Sequence, residues 1–245
     1  MPATEPLLLI PGTLCDERVF APALLGLDVT SHAVPLEGTT TIPDMARLIL
    51  AEAPPRFALW GFSLGAMIAL ELLAQAPGRV TRLALMGANA GTLSPEKAEA
   101  RRAAWRLARQ RGAGAFVDAT WDAAIPVHAR ADQNLRARLH AMANDTPERA
   151  FADQVEMAIN RRDHRPLLGA ISVPTLVMVG DEDHICPPSL ATEIATAIPN
   201  ARLEIIPGAG HYASLDQPQA VGRALQRWLA APVLPISEIP FKELK

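Results

Sequence analysis

A short apolar run, Phe57-Ala58-Leu59-Trp60, enters Gly61-Phe62-Ser63-Leu64-Gly65 and leaves as a longer apolar run beginning Ala66-Met67-Ile68-Ala69-Leu70. This pattern reads as a buried strand, a sharp turn and a helix, the connection from which layered α/β domains are built. The turn constrains the fold because glycines two positions either side of Ser63 let neighbouring backbone pass where a side chain would collide. A turn of this kind lifts the serine Oγ clear of the sheet. The helix starting after it points unpaired N–H groups and a positive dipole end at the space above the hydroxyl. Ser63 is therefore a candidate nucleophile for acyl transfer, where a serine in an ordinary turn would have no such surroundings.

A serine hydroxyl is a weak nucleophile at neutral pH and needs a base, itself oriented by an acid. Ala201-Arg202-Leu203-Glu204-Ile205-Ile206 reads as a short strand, and Pro207-Gly208-Ala209-Gly210-His211 as a glycine-rich loop after it, which makes His211 the base candidate. Of the other histidines (His32, His128, His140, His164 and His184), none combines a strand-to-loop position with a serine partner upstream. Thr175-Leu176-Val177-Met178-Val179 is the continuous apolar run of a strand buried on both faces. Acids follow directly in Gly180-Asp181-Glu182-Asp183-His184-Ile185-Cys186-Pro187. Asp183, His184, Cys186 and His211 are competent metal-ligand types, but their spacing matches no ligand motif, and no metal or other cofactor is expected.

The glycine-bracketed Ser63, the acid loop Gly180-x-x-Asp183-x-x-x-Pro187 and the late His211 come in the order Ser, Asp, His, and with them the chain resembles the α/β-hydrolase superfamily. The resemblance implies that Asp183 is the orienting acid, with Asp181 a turn or capping carboxylate, and that Asp216 is the N-cap of the last helix. It also implies an oxyanion hole made by the backbone N–H of Leu64 and one from the loop after the first long strand. In Leu7-Leu8-Leu9-Ile10-Pro11-Gly12-Thr13, that second donor falls on the Thr13 backbone. Pro11 stands where the family usually has histidine, which removes a side chain that braces the loop but leaves the donor in place.

Composition sets the remaining bounds. The chain has 245 residues, enough for one catalytic α/β domain with a substantial core and an insertion. Apolar residues make up 49%, charged residues 20%, and the net charge is −3, so neither disorder nor broad attraction to nucleic acid is indicated. A small molecule is the expected partner, with neither nucleic acid nor membrane, and self-association into a homo-oligomer is allowed. The start Met1-Pro2-Ala3-Thr4-Glu5-Pro6 lacks a basic region and the first strand is only four residues long. It reads as neither signal peptide nor anchor, and a cytoplasmic location is the expectation. Cys15 and Cys186 sit in different loops and are read as reduced.

Strands are expected at Leu7–Ile10, Val29–Leu36, Phe57–Trp60, Leu83–Met86, Thr175–Val179 and Leu203–Ile206, with covering helices at Pro43–Ala53, Ser63–Gln75, Pro188–Ile198 and Pro218–Leu229. This gives a minimal, mostly parallel six-stranded α/β-hydrolase sheet with helices on both faces. The alternation stops between Asn89 and Gly169, where helical spacing takes over at Pro95–Arg111, Ala115–Ala124, Ala131–Ala143 and Pro147–Asn160. The domains are then 1–88 and 170–231 for the core, 89–169 for a helical cap over Ser63, and 232–245 for a proline-rich C-terminal tail. Within the cap, Trp105, Trp121 and Met142 are candidate lining for an apolar substrate pocket, alongside Phe116, Phe151 and Met157.

The mechanism implied is a serine esterase: His211 takes the Ser63 proton, Asp183 orients His211, Thr13 and Leu64 N–H groups hold the oxyanion, and water releases the acyl group from a carboxylic ester or thioester. The same triad serves carbon–carbon bond hydrolases and lyases, for which Arg161, Arg162 or Arg165 would hold a small acidic metabolite. A third reading is a catalytically silent ligand receptor on the same fold; an intact Ser63, Asp183 and His211 set argues against it.

Overall fold

The computed structural model describes residues 5–232; the tail assigned to 232–245 lies outside them except for its first residue. In chain order the elements begin with β1 (Leu7–Ile10), the short helix α1 (Ala21–Leu24), β2 (Ser31–Ala33), α2 (Ile42–Glu52), β3 (Phe57–Phe62), α3 (Leu64–Gln75) and β4 (Val80–Met86). A run of helices follows: α4 (Pro95–Arg111), α5 (Gly114–Ala124), α6 (Gln133–Asp145), α7 (Glu148–Ile159) and the short α8 (Arg165–Leu168). The chain then returns to alternation with β5 (Thr175–Gly180), α9 (Pro188–Ala197), β6 (Arg202–Ile206), α10 (Ala213–Asp216) and α11 (Pro218–Leu229).

The strands form one sheet in the order β2-β1-β3-β4-β5-β6, and every pairing is parallel. The expectation of a mostly parallel sheet is thus sharpened to a wholly parallel one. Successive strand residues face opposite sides, as the strand period requires. Leu7, Leu9, Ala58, Trp60 and Phe62 join one apolar cluster; Leu8, Ile10, Phe57 and Leu59 join the other. Both sides are covered by helices, which is why β3 and β5 are buried along their whole length. The strand expected at Val29–Leu36 shortens to Ser31–Ala33 because it lies at the sheet edge, where only β1 is available to pair.

Helix starts follow local capping. Thr41 Oγ1 accepts from the Asp44 N–H at the head of α2, Ser94 Oγ from the Lys97 N–H at α4, and Asp132 from the Asn134 and Leu135 N–H groups at α6. Pro43 and Pro95 lie in first turns, where a missing N–H leaves no helical bond unmade. Asp132 moves the start of α6 two residues beyond the expected Ala131. Helix α4 begins and ends where expected.

Because all strands run one way, the loops after β1, β3, β4, β5 and β6 emerge at a single sheet edge. Helices α4–α7 pack on one another, α4 against α5 and α7 and α5 against α6, and their buried side chains are continuous with those under the sheet. Trp121, Met142, Phe151 and Val155 belong to the cluster that holds Trp60 and Met178, while Met157 and Ala158 belong to the other. No helix among the described residues is long and apolar enough to cross a membrane.

Candidate active site

Ser63 has φ 53° and ψ −113°, a left-handed backbone conformation that costs a non-glycine residue about 1–3 kcal/mol. Two close approaches enforce it. A Cβ on Gly65 would lie 1.9 Å from the Ile10 carbonyl oxygen, and one on Gly61 would lie 2.4 Å from the Gly65 carbonyl oxygen. Only glycine lets β1, β3 and the head of α3 come together so tightly, and that contact turns the serine outward. The Ser63 N–H donates to Met86 O on β4 at 2.9 Å, fixing the turn from the other side.

His211 Nε2 lies 3.0 Å from Ser63 Oγ, and His211 Nδ1 lies 2.8 Å from Asp183 Oδ2. A carboxylate only accepts, so Nδ1 carries the proton and Nε2 is free to accept from the serine hydroxyl. Asp183 is fully buried, and its other oxygen accepts from the Ile185 and Cys186 N–H groups at 2.9 and 2.8 Å. The loop after β5 thereby wraps its own carboxylate and aims the remaining oxygen at the histidine. Asp181 is used differently: its Oδ1 accepts from the Ala209 N–H, so it links the two loops. Gly87, at φ +57°, makes room for the ring, since a Cβ there would sit 2.9 Å from His211 Cε1.

The histidine loop is also tied to helix α5. The Ala124 carbonyl, at the last residue of α5, accepts from the His211 N–H at 2.7 Å, and the Ala123 carbonyl accepts from the His184 N–H at 3.0 Å. These are carbonyls that a helix end leaves unpaired, so one helix terminus anchors both the acid loop and the base loop.

The loop after β1 passes directly beside the serine: a Cβ on Gly12 would lie 3.2 Å from Ser63 Cβ. Among the described residues the backbone N–H groups of Thr13 and Leu64 have no hydrogen-bond partner. The support that Pro11 cannot give comes from two residues on the helical segment. Gln154, buried on α7, accepts from the Leu14 N–H at 2.9 Å and donates to Leu36 O at 3.1 Å. Arg101 on α4 donates from Nη2 to Thr13 Oγ1 at 2.6 Å. No local signal marks either residue, because each acts across a long sequence separation.

Asp216 corrects an expectation. It does not cap α11, whose N-cap residue is Gln217, but accepts from the Gly210 N–H at 2.9 Å, bracing the turn that carries His211. Burial raises its pKa to about 6, and its Oδ1 is enclosed without a partner. Arg162 and Arg165 are also reassigned. Arg162 pairs with buried Glu71 at 2.8 Å, and Arg165 with Asp163 at 2.5 Å, so their charges are already neutralised. Arg161 alone of the three is buried, and no carboxylate among the described residues pairs with it.

Of the candidate pocket residues, Trp121 and Met142 are buried in the cluster that contains Leu14 and Phe62, and Trp121 Nε1 donates to Arg130 O at 3.2 Å. Trp105 is partly buried against that cluster, with the Arg109 guanidinium 5.1 Å from its ring centre. Both thiols are buried and unpaired; burial pushes Cys186 up to about 12 and Cys15 higher still, so neither competes as a nucleophile near neutral pH. Among the described residues no group of three or more His, Cys, Asp or Glu side chains is placed to hold a metal ion.

Comparison with known proteins places the chain in a family. A family described as the alpha/beta hydrolase fold matches residues 14–218. A pimeloyl-[acyl-carrier protein] methyl ester esterase of Xanthomonas oryzae pv. oryzae is 28% identical over 245 residues, covering 92% of this chain and 95% of that protein. A thermophilic esterase from Thermogutta terrifontis superposes with a TM-score of 0.81 at 26% identity, covering 92% of this chain and 89% of that one. The enol-lactonase from Burkholderia xenovorans LB400 has the same fold, with a TM-score of 0.82 at 22% identity over 93% of this chain and 92% of that one.

Proposed function

Because the chain belongs to the α/β-hydrolase family, we propose that it is a serine hydrolase that cleaves a small carboxylic ester through an acyl-enzyme on Ser63. The observation carrying this reading is the hydrogen-bonded series Ser63, His211, Asp183 at 3.0 and 2.8 Å, mounted on a serine held at positive φ. The esterases among the similar proteins support the ester as substrate.

In the proposed mechanism His211 Nε2 takes the Ser63 proton as Oγ attacks the ester carbonyl. Asp183 holds the Nδ1 proton in place and stabilises the imidazolium that forms. The oxyanion settles between the Thr13 and Leu64 N–H groups, whose unpaired donors suit that role; losing one such donor costs on the order of 3 kcal/mol in transition-state stabilisation. His211 then protonates the leaving alcohol, and water, activated by the same nitrogen, releases the acid. Residues 89–169, with helices α4–α7, serve as the cap on a core built from 1–88 and 170–231; their uninterrupted helical run between β4 and β5 supports that reading.

A fluorophosphonate probe tests this directly. The expected result is one stoichiometric adduct located on Ser63 by mass spectrometry, absent in Ser63→Ala and slowed by about three orders of magnitude or more in His211→Ala. A folded wild-type protein that remains unlabelled would overturn the assignment.

A further inference from the structure

We propose that Gln154, on α7, is a positioning residue for the reaction: it holds Leu14 in a conformation that leucine does not adopt unaided, and so keeps the neighbouring Thr13 N–H turned toward the oxyanion on Ser63. The inference rests on the serine-hydrolase reading, in which that N–H is one of two oxyanion donors.

Thr13 and Leu14 are the middle residues of a four-residue turn, closed by the bond from the Cys15 N–H to Gly12 O at 3.2 Å. Leu14 has φ +57°. A positive φ at the third position of such a turn normally calls for glycine or asparagine, because a Cβ crowds the backbone there. Of the other non-glycine residues at positive φ among the described residues, Ser63 is the strained nucleophile, and Asn200 is of a type that enters this region readily. Leu14 is the bulky exception, so a contact from outside the turn must hold it.

Gln154 supplies that contact. Its Oε1 accepts from the Leu14 N–H at 2.9 Å and its Nε2 donates to Leu36 O at 3.1 Å, so one amide ties together the loops after β1 and β2. Gln154 and Leu14 are both buried, where an unpaired N–H is costly. The sheet fixes this loop only through its first residues: a Cβ on Gly65 would lie 2.6 Å from Pro11 O, and one on Gly12 would lie 3.0 Å from the Phe62 ring. Thr13 and Leu14 receive their hydrogen bonds from the helical segment instead, Thr13 Oγ1 from Arg101 and the Leu14 N–H through Gln154. A cavity of about 280 Å³ opens beside the loop, lined in part by Pro11, Cys15, Leu36 and Gln154. It leaves room for the loop to shift once the amide is gone. Relaxation of Leu14 to negative φ would then rotate the peptide that joins it to Thr13 and swing the donor off its line to the oxyanion.

The test replaces Gln154 with methionine, which keeps the length of the side chain and removes both bonds. With p-nitrophenyl butyrate, Gln154→Met is expected to lower kcat by about 10- to 100-fold while KM stays within about threefold, the pattern of an interaction made in the transition state. Inhibition by a propyl trifluoromethyl ketone gives a second readout. Ser63 Oγ adds to its carbonyl carbon, the hydroxyl proton passes to His211, and the carbonyl oxygen becomes the anion that the hole holds. Its inhibition constant should rise by the same factor as kcat falls. The matching trifluoromethyl alcohol, which has no carbonyl to attack, should bind equally well to both proteins. The pH profile of kcat should keep its acid limb, since the triad is untouched. Gln154→Asn, too short to reach both partners, takes the place of the Met variant if that variant does not fold. Ketone and alcohol weakened equally would show that Gln154 shapes the pocket, and kcat and ketone inhibition within about twofold of wild type would make it a structural tie only. Either result overturns the inference and leaves the hydrolase reading standing. A folded wild type that forms no ketone adduct on Ser63 and hydrolyses no ester would overturn the hydrolase reading, and the inference with it.

Discussion

Asp216 illustrates how one carboxylate bears on both stability and the site. It holds the Gly210 N–H, yet burial raises its pKa from 3.8 to about 6. The folded protein therefore binds this proton more tightly than the unfolded chain does. The stability contributed by the group is present below about pH 4 and is lost as pH rises through 6. Asp216→Asn keeps an acceptor for Gly210 without the charge. It should stabilise the protein by about 1–2 kcal/mol at pH 7 and by much less at pH 4. Urea titrations at the two pH values check this; equal effects at both would contradict it.

At the scale of elements, the decisive contact is between the end of α5 and the loop that carries His211. Gly210 lies in that contact, and a Cβ there would be 2.2 Å from the Ala124 carbonyl oxygen and 2.9 Å from Pro126 Cδ. Gly210→Ala should push the loop away from α5, strain the bond from His211 N–H to Ala124 O, and misplace Nε2 relative to Ser63. Displacements of about 1 Å at a catalytic group cost on the order of 100-fold. The rate of fluorophosphonate labelling should fall by about 10- to 100-fold while the far-UV circular dichroism is retained. A labelling rate within twofold of wild type would show that α5 does not position the base.

Across the whole molecule, the helices α4–α7 share both apolar clusters with the sheet and own neither. Their buried side chains Trp121, Met142, Phe151 and Val155 are continuous with the core cluster, so unfolding the segment by itself carries a large apolar cost. Calorimetry should show a single transition with equal calorimetric and van't Hoff enthalpies, and tryptophan fluorescence should follow it, since Trp105 and Trp121 lie in the helical segment and Trp60 and Trp228 in the core elements. Two resolved transitions would mean that residues 89–169 form an independent unit.

The sequence by itself determined what short-range sterics and periodicity control. The apolar run, glycine-bracketed serine and second run at 57–70 have few conformations open to them, and the caps Thr41 and Ser94 mark helix starts through bonds reaching only three residues. The order of Ser63, Asp183 and His211 was legible because each follows an apolar run that becomes a strand, and parallel strands deliver their loops to one edge. Tertiary structure decided what depends on distant partners. Asp216 became a loop brace because the folded loop brings the Gly210 N–H within 2.9 Å of its carboxylate, and Gln154 took up the support of the loop after β1 across 140 residues. Arg162 and Arg165 found acids, whereas Arg161 and Arg101 found none among the described residues. Whether a buried charge is neutralised depends on which side chains the folded backbone brings within a few ångströms, and no local pattern in the chain records that.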